Sequence, residues 1–224
     1  KVQASISSID RRMIAMKRNK VGHLIRTAVL LLLPLGAGAQ APAPRHSAEV
    51  AWGVSVPLGT GYPDKTGAAA FSLRYEYRFA QRWAAGVSVA WDRTADNGVF
   101  DGHFDGDAVT GYAERTRQQI PITATLRWYM LGGRTSLLQP YLGAGVGAQW
   151  TRFDITGETI NTSKADSWGV GASAEVGTRI YPRRGGALFL DVRAAYRYGS
   201  NRWKAAEVNG LHGFYPSIGV GLNF

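Results

Sequence analysis

A chain of 224 residues with 28 glycines and 11% aromatic residues has room for one domain or two small ones and leans toward β structure with tight turns. It contains no cysteine, which excludes a disulfide framework, a thiolate metal site and a cysteine nucleophile. The formal net charge of +10 raises the question of a nucleic-acid partner, but its distribution argues for none: seven of the 26 basic residues and one of the 16 acidic residues fall within the first 40.

Most of that excess lies in MKRNKVGHLIRTAVLLLLPLGAGAQA, residues 16–41, where basic residues after Met16 precede an apolar run and Ala37-Gly38-Ala39 follows it. A positive stretch, a short apolar run and a small-residue site form the pattern of a secretory signal peptide. The run is too short to cross a membrane as a helix. Residues 1–15 are therefore expected to lie upstream of the true start, 16–39 to be the signal peptide, 40–47 a short flexible leader, and 48–224 the mature domain.

Beyond residue 47 the apolar period is two. Apolar parity marks segments at 50–58, 71–79, 83–91, 120–130, 142–150, 168–180, 188–198 and 214–224. Each is long enough to cross a bilayer as a tilted strand. The links FAQRW, LGGRTSLLQ and YPRRGGA are short, whereas 59–68, 93–113, 153–166 and 199–213 are longer and polar. Alternating link length and an even strand number predict an all-β, eight-stranded antiparallel up-and-down transmembrane β-barrel of a Gram-negative outer membrane, short turns and both termini periplasmic.

Six of the seven tryptophans, Trp52, Trp83, Trp91, Trp128, Trp150 and Trp168, share the apolar parity. An eight-stranded barrel encloses only enough room for side chains to fill it, so this set must face outward. Aromatic residues then bracket a Val/Leu/Ala band at the two ends of the strands, as two membrane girdles do. The opposite parity carries Glu49, Arg74, Glu76, Arg78, Asp92, Arg127, Glu175, Arg179, Asp191, Arg193 and Arg197. Acids and bases nearly balance there. A paired network plugging the lumen is expected, because an unpaired charge in a poorly hydrated interior is costly. Gly143, Gly145 and Gly147 on that side are expected to leave room for long arginines. Pro121 removes a ladder donor, which predicts a bulge or irregular pairing.

IPITATLRWYM and QPYLGAGVGAQW, a strand entering a short turn and the next leaving it, resemble the matching hairpin of the small outer-membrane β-barrel domain family. That group includes the OmpX-like and OmpA-like eight-stranded barrels. The closing GFYPSIGVGLNF is similar to their terminal strand. The resemblance implies that Phe224 is the signal read by the barrel-assembly machinery.

Candidate sites lie in the longer links. DNGVFDGHFDGDAVTG clusters Asp96, Asp101, Asp105 and Asp107, but the ligand order of a calcium loop is absent, and the segment reads as a flexible solvated loop. Ser200, Glu207 and His212 are the composition a lipid A deacylase would need, without a motif that indicates one. No catalytic residue, cofactor or metal is expected. Arg152 sits just beyond Trp150, placed for a lipopolysaccharide phosphate, with Arg115, Arg117, Lys164, Arg202 and Lys204 in the same layer. The expected protein is a monomer in the lipid bilayer with a structural or interaction role through its outer loops: membrane integrity, adhesion or ligand contact. An enzyme acting on lipopolysaccharide and a narrow small-solute channel are the alternatives.

Overall fold

The computed structural model describes residues 45–58, 65–131, 136–157 and 162–224. The expected signal segment and residues 40–44 of the leader lie outside them. The described strands are β1 (His46–Pro57), β2 (Gly67–Tyr77), β3 (Trp83–Phe104), β4 (Asp107–Tyr129), β5 (Leu138–Gly157), β6 (Ser163–Ile180), β7 (Leu188–Trp203) and β8 (Val208–Asn223). Each pairs antiparallel with the next and β8 returns to β1, so the ring closes into the eight-stranded barrel expected from the alternation.

The period-two pattern makes these strands because each has one side that must avoid water and one that must avoid hydrocarbon. Val50, Leu73, Val192 and Val220 point away from the barrel, with Val220 51% exposed, while Arg74 on the other face is 7% exposed. The tryptophan-bearing parity is therefore the outside. Phe71 faces Trp91 in a stacked pair with centroids 6.1 Å apart, and Trp150 pairs with Trp168 across β5 and β6. These rings mark the end of the barrel where the strands run long.

β1 begins at His46, inside the segment expected to be a leader. The reason is the seam: His46 N–H donates to the Phe224 carbonyl at 3.0 Å and Phe224 N–H donates back at 2.8 Å, which extends pairing to the last residue.

The larger correction concerns 93–113, expected as a flexible polar loop. It is continuous strand: β3 and β4 stay in register from Asp92↔Gln119 out to Phe104↔Asp107. Asp105 (φ 56°) and Gly106 (φ 92°) form the two-residue turn, where Asp-Gly accepts the left-handed backbone that a tight hairpin requires. The other long links are shortened similarly, with β5 reaching Gly157 and β7 reaching Trp203 before a 3-10 turn at Lys204–Ala206.

Pro121 interrupts the pairing, as expected, but produces no bulge. Register between β3 and β4 is the same on either side, and the ladder simply skips Ala90 and Trp91 opposite Pro121 and Ile120. Toward β5 the partner of Pro121 is Gln149.

Candidate functional site

The barrel interior is built from inward-pointing residues of every strand, and its charges meet across the bore. Arg74 on β2 donates from both terminal nitrogens to the two carboxylate oxygens of Glu175 on β6, at 2.7 Å each. Arg127 Nε adds a third bond to Glu175, also 2.7 Å. Glu76 accepts from the Tyr129 hydroxyl at 2.7 Å and faces Arg179 Nη1 at 3.1 Å. Arg193 pairs with Glu49 and donates to Ser72 Oγ at 2.6 Å. Asp191 takes the Tyr141 hydroxyl at 2.8 Å, and Arg78 donates to Gln139 Oε1 at 2.9 Å. Toward the long-strand end, Arg197 stands 3.9 Å from Asp92.

Aromatic rings fill the space between these charges. Arg78 lies over Tyr129 at 3.7 Å, Arg127 over Tyr141 at 4.1 Å, Arg179 over Phe189 at 4.3 Å and Arg197 over Tyr215 at 4.3 Å. Arg127, Arg179 and Arg197 are thus flanked by a π face as well as a carboxylate, and Arg78 by a π face and an amide. These four rings were not among the residues expected in the lumen, although their parity places them inside: Tyr129 lies between the outward Trp128 and Met130.

The network has room because one wall is glycine. Gly143 is the register partner of Arg127 on β4 and of Glu175 on β6. A Cβ there would lie 2.6 Å from Glu175 Oε1, so only a glycine lets the two charged side chains close over it.

Toward the long-strand end the interior turns apolar. Ala113, Phe153, Ile155, Trp203, Val208 and Leu211 form a buried cluster, against which Phe104 and Val109 of the β3–β4 hairpin and Ala205 and Ala206 of the 3-10 turn pack. Trp203 stacks on Phe153 at 5.5 Å and meets Phe104 edge-on at 5.7 Å. Asp105 N–H donates to the Ala205 carbonyl at 2.8 Å, fastening the hairpin tip over the mouth. Burying a Phe or Ile side chain contributes about 1.5–3 kcal/mol, so this lid is held by packing. Phe153 and Ile155 lay in a link expected to be polar loop, which hid their inward parity.

Of the eleven interior charges expected, Glu49, Arg74, Glu76, Arg78, Asp92, Arg127, Arg179, Asp191 and Arg193 are buried, and the side chains of Glu175 and Arg197 are 6% and 19% exposed. Arg117, expected among outer-layer cations, is instead buried inside the barrel at 1% exposure, because strand pairing carries its inward parity above the girdle. Arg115 is also engaged: it and Lys65 both pair with the buried Asp96. Burial acts to raise the Asp96 carboxyl, but the hydrogen bonds from Lys65 and Arg115 prevail and hold it below the usual carboxylate range. Arg152 stays outside, over the Trp150 ring at 5.2 Å, and is bound through two bonds of 2.8 and 2.9 Å to Asp166. Lys164 is 3.8 Å from Asp154, and Arg202 and Lys204 are exposed.

The remaining candidates are not assembled. Ser200 Oγ accepts the Val170 N–H at 2.8 Å, the His212 ring lies 6.5 Å from that of Tyr196, and Glu207 forms a left-handed turn; among the described residues no hydrogen bond joins the three. Asp101 accepts from Thr110 across the hairpin at 3.0 Å. Among the described residues no group of three or more His, Asp or Glu is placed to hold a metal ion. Phe224 packs its ring against His46 at 6.0 Å on the outer face of the seam.

A family model described as outer membrane protein beta-barrel domain matches residues 27–224. No curated protein matches the chain. Among solved structures, the chain is similar to Ail, the attachment invasion locus protein of Yersinia pestis, crystallised with the heparin analogue sucrose octasulfate. The identity is 17% and the TM-score 0.51, covering 82% of this chain and 100% of that one. Neisserial surface protein A aligns at 18% identity and TM-score 0.48, over 83% and 100% of the two chains. OprG from Pseudomonas aeruginosa aligns at 17% identity and TM-score 0.47, over 84% and 99%.

Proposed function

Because the chain belongs to the outer membrane protein β-barrel domain family and so is an outer-membrane protein, we propose that it is a closed, non-enzymatic barrel that acts through the strands projecting beyond its long-strand girdle. The observation that carries this reading is the pairing of Arg74 with Glu175 across the bore, beneath an apolar lid. A lumen crossed by ion pairs and capped by packed side chains has no continuous wet path for a solute. What is left to meet a partner is the outer surface of the β3–β4 hairpin, where Val99 is 74% and Tyr112 51% exposed as register partners.

In this reading the barrel is a monomer with both termini periplasmic, Phe224 is its signal to the barrel-assembly machinery, and the hairpin is extracellular, serving adhesion or ligand contact. Ail, one of the structures the chain is similar to, is by its name an attachment protein. Arg152 belongs to the rim that faces lipopolysaccharide, and Asp166 shares its guanidinium there. The engagement of Ser200 with Val170 speaks against the lipid-cleaving alternative.

Planar-bilayer recordings and cell adhesion assays test the reading together. The expected result is no conductance step for the wild type and a loss of attachment when residues 98–113 are replaced by a two-residue turn between the register partners Asn97 and Glu114. Stable conductance with unchanged attachment would reverse it.

A further inference from the structure

The three short links between strands carry basic residues and neither aspartate nor glutamate: FAQRW at 79–83, LGGRTSLLQ at 131–139 and YPRRGGA at 181–187. Arg82 in the first and Arg183 and Arg184 in the third are exposed, as is Arg45 just before β1. Among the described residues none of these four arginines forms an ion pair. The long-strand end differs, because there Lys65 and Arg115 pair with Asp96, Arg152 with Asp166, and Lys164 lies 3.8 Å from Asp154. Apart from the main-chain carboxylate of Phe224, the short-turn rim presents only positive charge to its surroundings.

Two features say what such a rim meets. The turns are tight: the Ala80 N–H donates to the Trp83 carbonyl at 3.2 Å and the Gly186 N–H to the Arg183 carbonyl at 2.9 Å, so the arginines stay close to the strand ends. Beside them runs a collar of exposed apolar side chains, Phe79, Trp83, Leu131, Leu138, Leu188 and Phe224. An arginine next to such a collar keeps its stem with the hydrocarbon and its head at the depth of lipid phosphates, whose oxygens its planar fork fits. The cations also stand apart rather than converge, since the β2–β3 and β6–β7 turns lie on opposite sides of the ring. One soluble anion cannot bridge them, whereas a lipid annulus meets them all. Turns this short do not reach out to a polymer lying away from the membrane.

We propose that the short-turn rim selects anionic phospholipid, its arginines holding the headgroups of the periplasmic leaflet. The choice of leaflet rests on the proposed periplasmic position of the short turns; the headgroup chemistry does not.

The test refolds the full barrel in phosphatidylcholine vesicles containing spin-labelled phosphatidylglycerol or spin-labelled phosphatidylcholine. The motionally restricted fraction should be larger for phosphatidylglycerol, and the excess should shrink as salt is added. Combining Arg82→Gln, Arg183→Gln and Arg184→Gln should abolish the excess, and the three corresponding lysine changes should keep it. Equal fractions for the two lipids in the wild type, or an excess unchanged in the glutamine variant, would overturn the proposal. The leaflet is read separately. The chain has no cysteine, so Gln81→Cys in the β2–β3 turn gives a single thiol. A maleimide too large to cross the outer membrane should label it only after the cells are permeabilised. Labelling on intact cells would overturn the leaflet assignment and the reading it rests on, whereas a protected thiol with no lipid preference would overturn this proposal alone.

Discussion

Arg74 and Glu175 belong to strands on opposite sides of the eight-membered ring, β2 and β6, and join through two parallel bonds of 2.7 Å. The pair is a strut across the bore. Removing one partner of a buried pair leaves the other charge uncompensated, a loss of about 3–5 kcal/mol. Glu175→Gln removes the carboxylate that Arg74 binds through both terminal nitrogens, while Arg127 keeps Glu76 at 3.3 Å, and should lower barrel stability by about that much, measured by denaturant titration in lipid vesicles. Adding Arg74→Gln should recover part of the loss, and simple additivity of the two changes would show that the strut carries no coupling.

Gly143 lies between Arg127 and Glu175 on the neighbouring strands. Gly143→Ala brings a Cβ to 2.6 Å from Glu175 Oε1, and the displaced carboxylate must give up part of its bonding to Arg127 or Arg74. A cost of about 1–3 kcal/mol is expected, as for overpacking. In the Glu175→Ala background the same change should be nearly neutral, since the atom it strikes is gone.

The hairpin turn is a separate point of weakness. Gly106 has φ 92°, a conformation that side chains with a Cβ adopt at a cost of order 1–3 kcal/mol. Gly106→Val should leave the girdled barrel unchanged and loosen the tip, read as faster protease cleavage near 104–107 with the same thermal midpoint. Unaltered cleavage would mean that the lid contacts at Ala205 and Trp203 hold the tip without the turn.

Acid should loosen the hairpin. The Asp96 carboxyl is held below its unfolded value, so its pairing with Lys65 and Arg115 contributes stability above about pH 4 that is lost as pH falls through the lowered folded value. Amide exchange across 93–118 should accelerate over that acidic window. Lys65→Met should move the onset to higher pH. Identical profiles for the two proteins would dismiss the Lys65 contact.

The barrel was legible in the sequence because lipid and a packed bore impose one strict period: Val50, Leu73 and Val220 could only face outward once Trp52, Trp83 and Trp128 did. What escaped was structure above the girdle, where that constraint lapses. There Phe153, Ile155 and Trp203 turn inward to form the lid, and Arg117 follows them. Polar composition in 93–113 suggested a loop, yet FDGD carried the hairpin signal in plain view. The identity of partners such as Arg74 with Glu175, 101 positions apart, depends on strand tilt and stagger, which no local pattern encodes.

The bonds between His46 and Phe224 join positions at opposite ends of the domain, and every other neighbouring pair of strands is consecutive in the chain. Closure of the ring therefore has by far the greatest contact order of any step and should be the slowest. Until it happens, β1 keeps a row of unsatisfied main-chain groups open to any passing strand, and a nascent sheet left waiting in that condition would polymerise unless it were escorted.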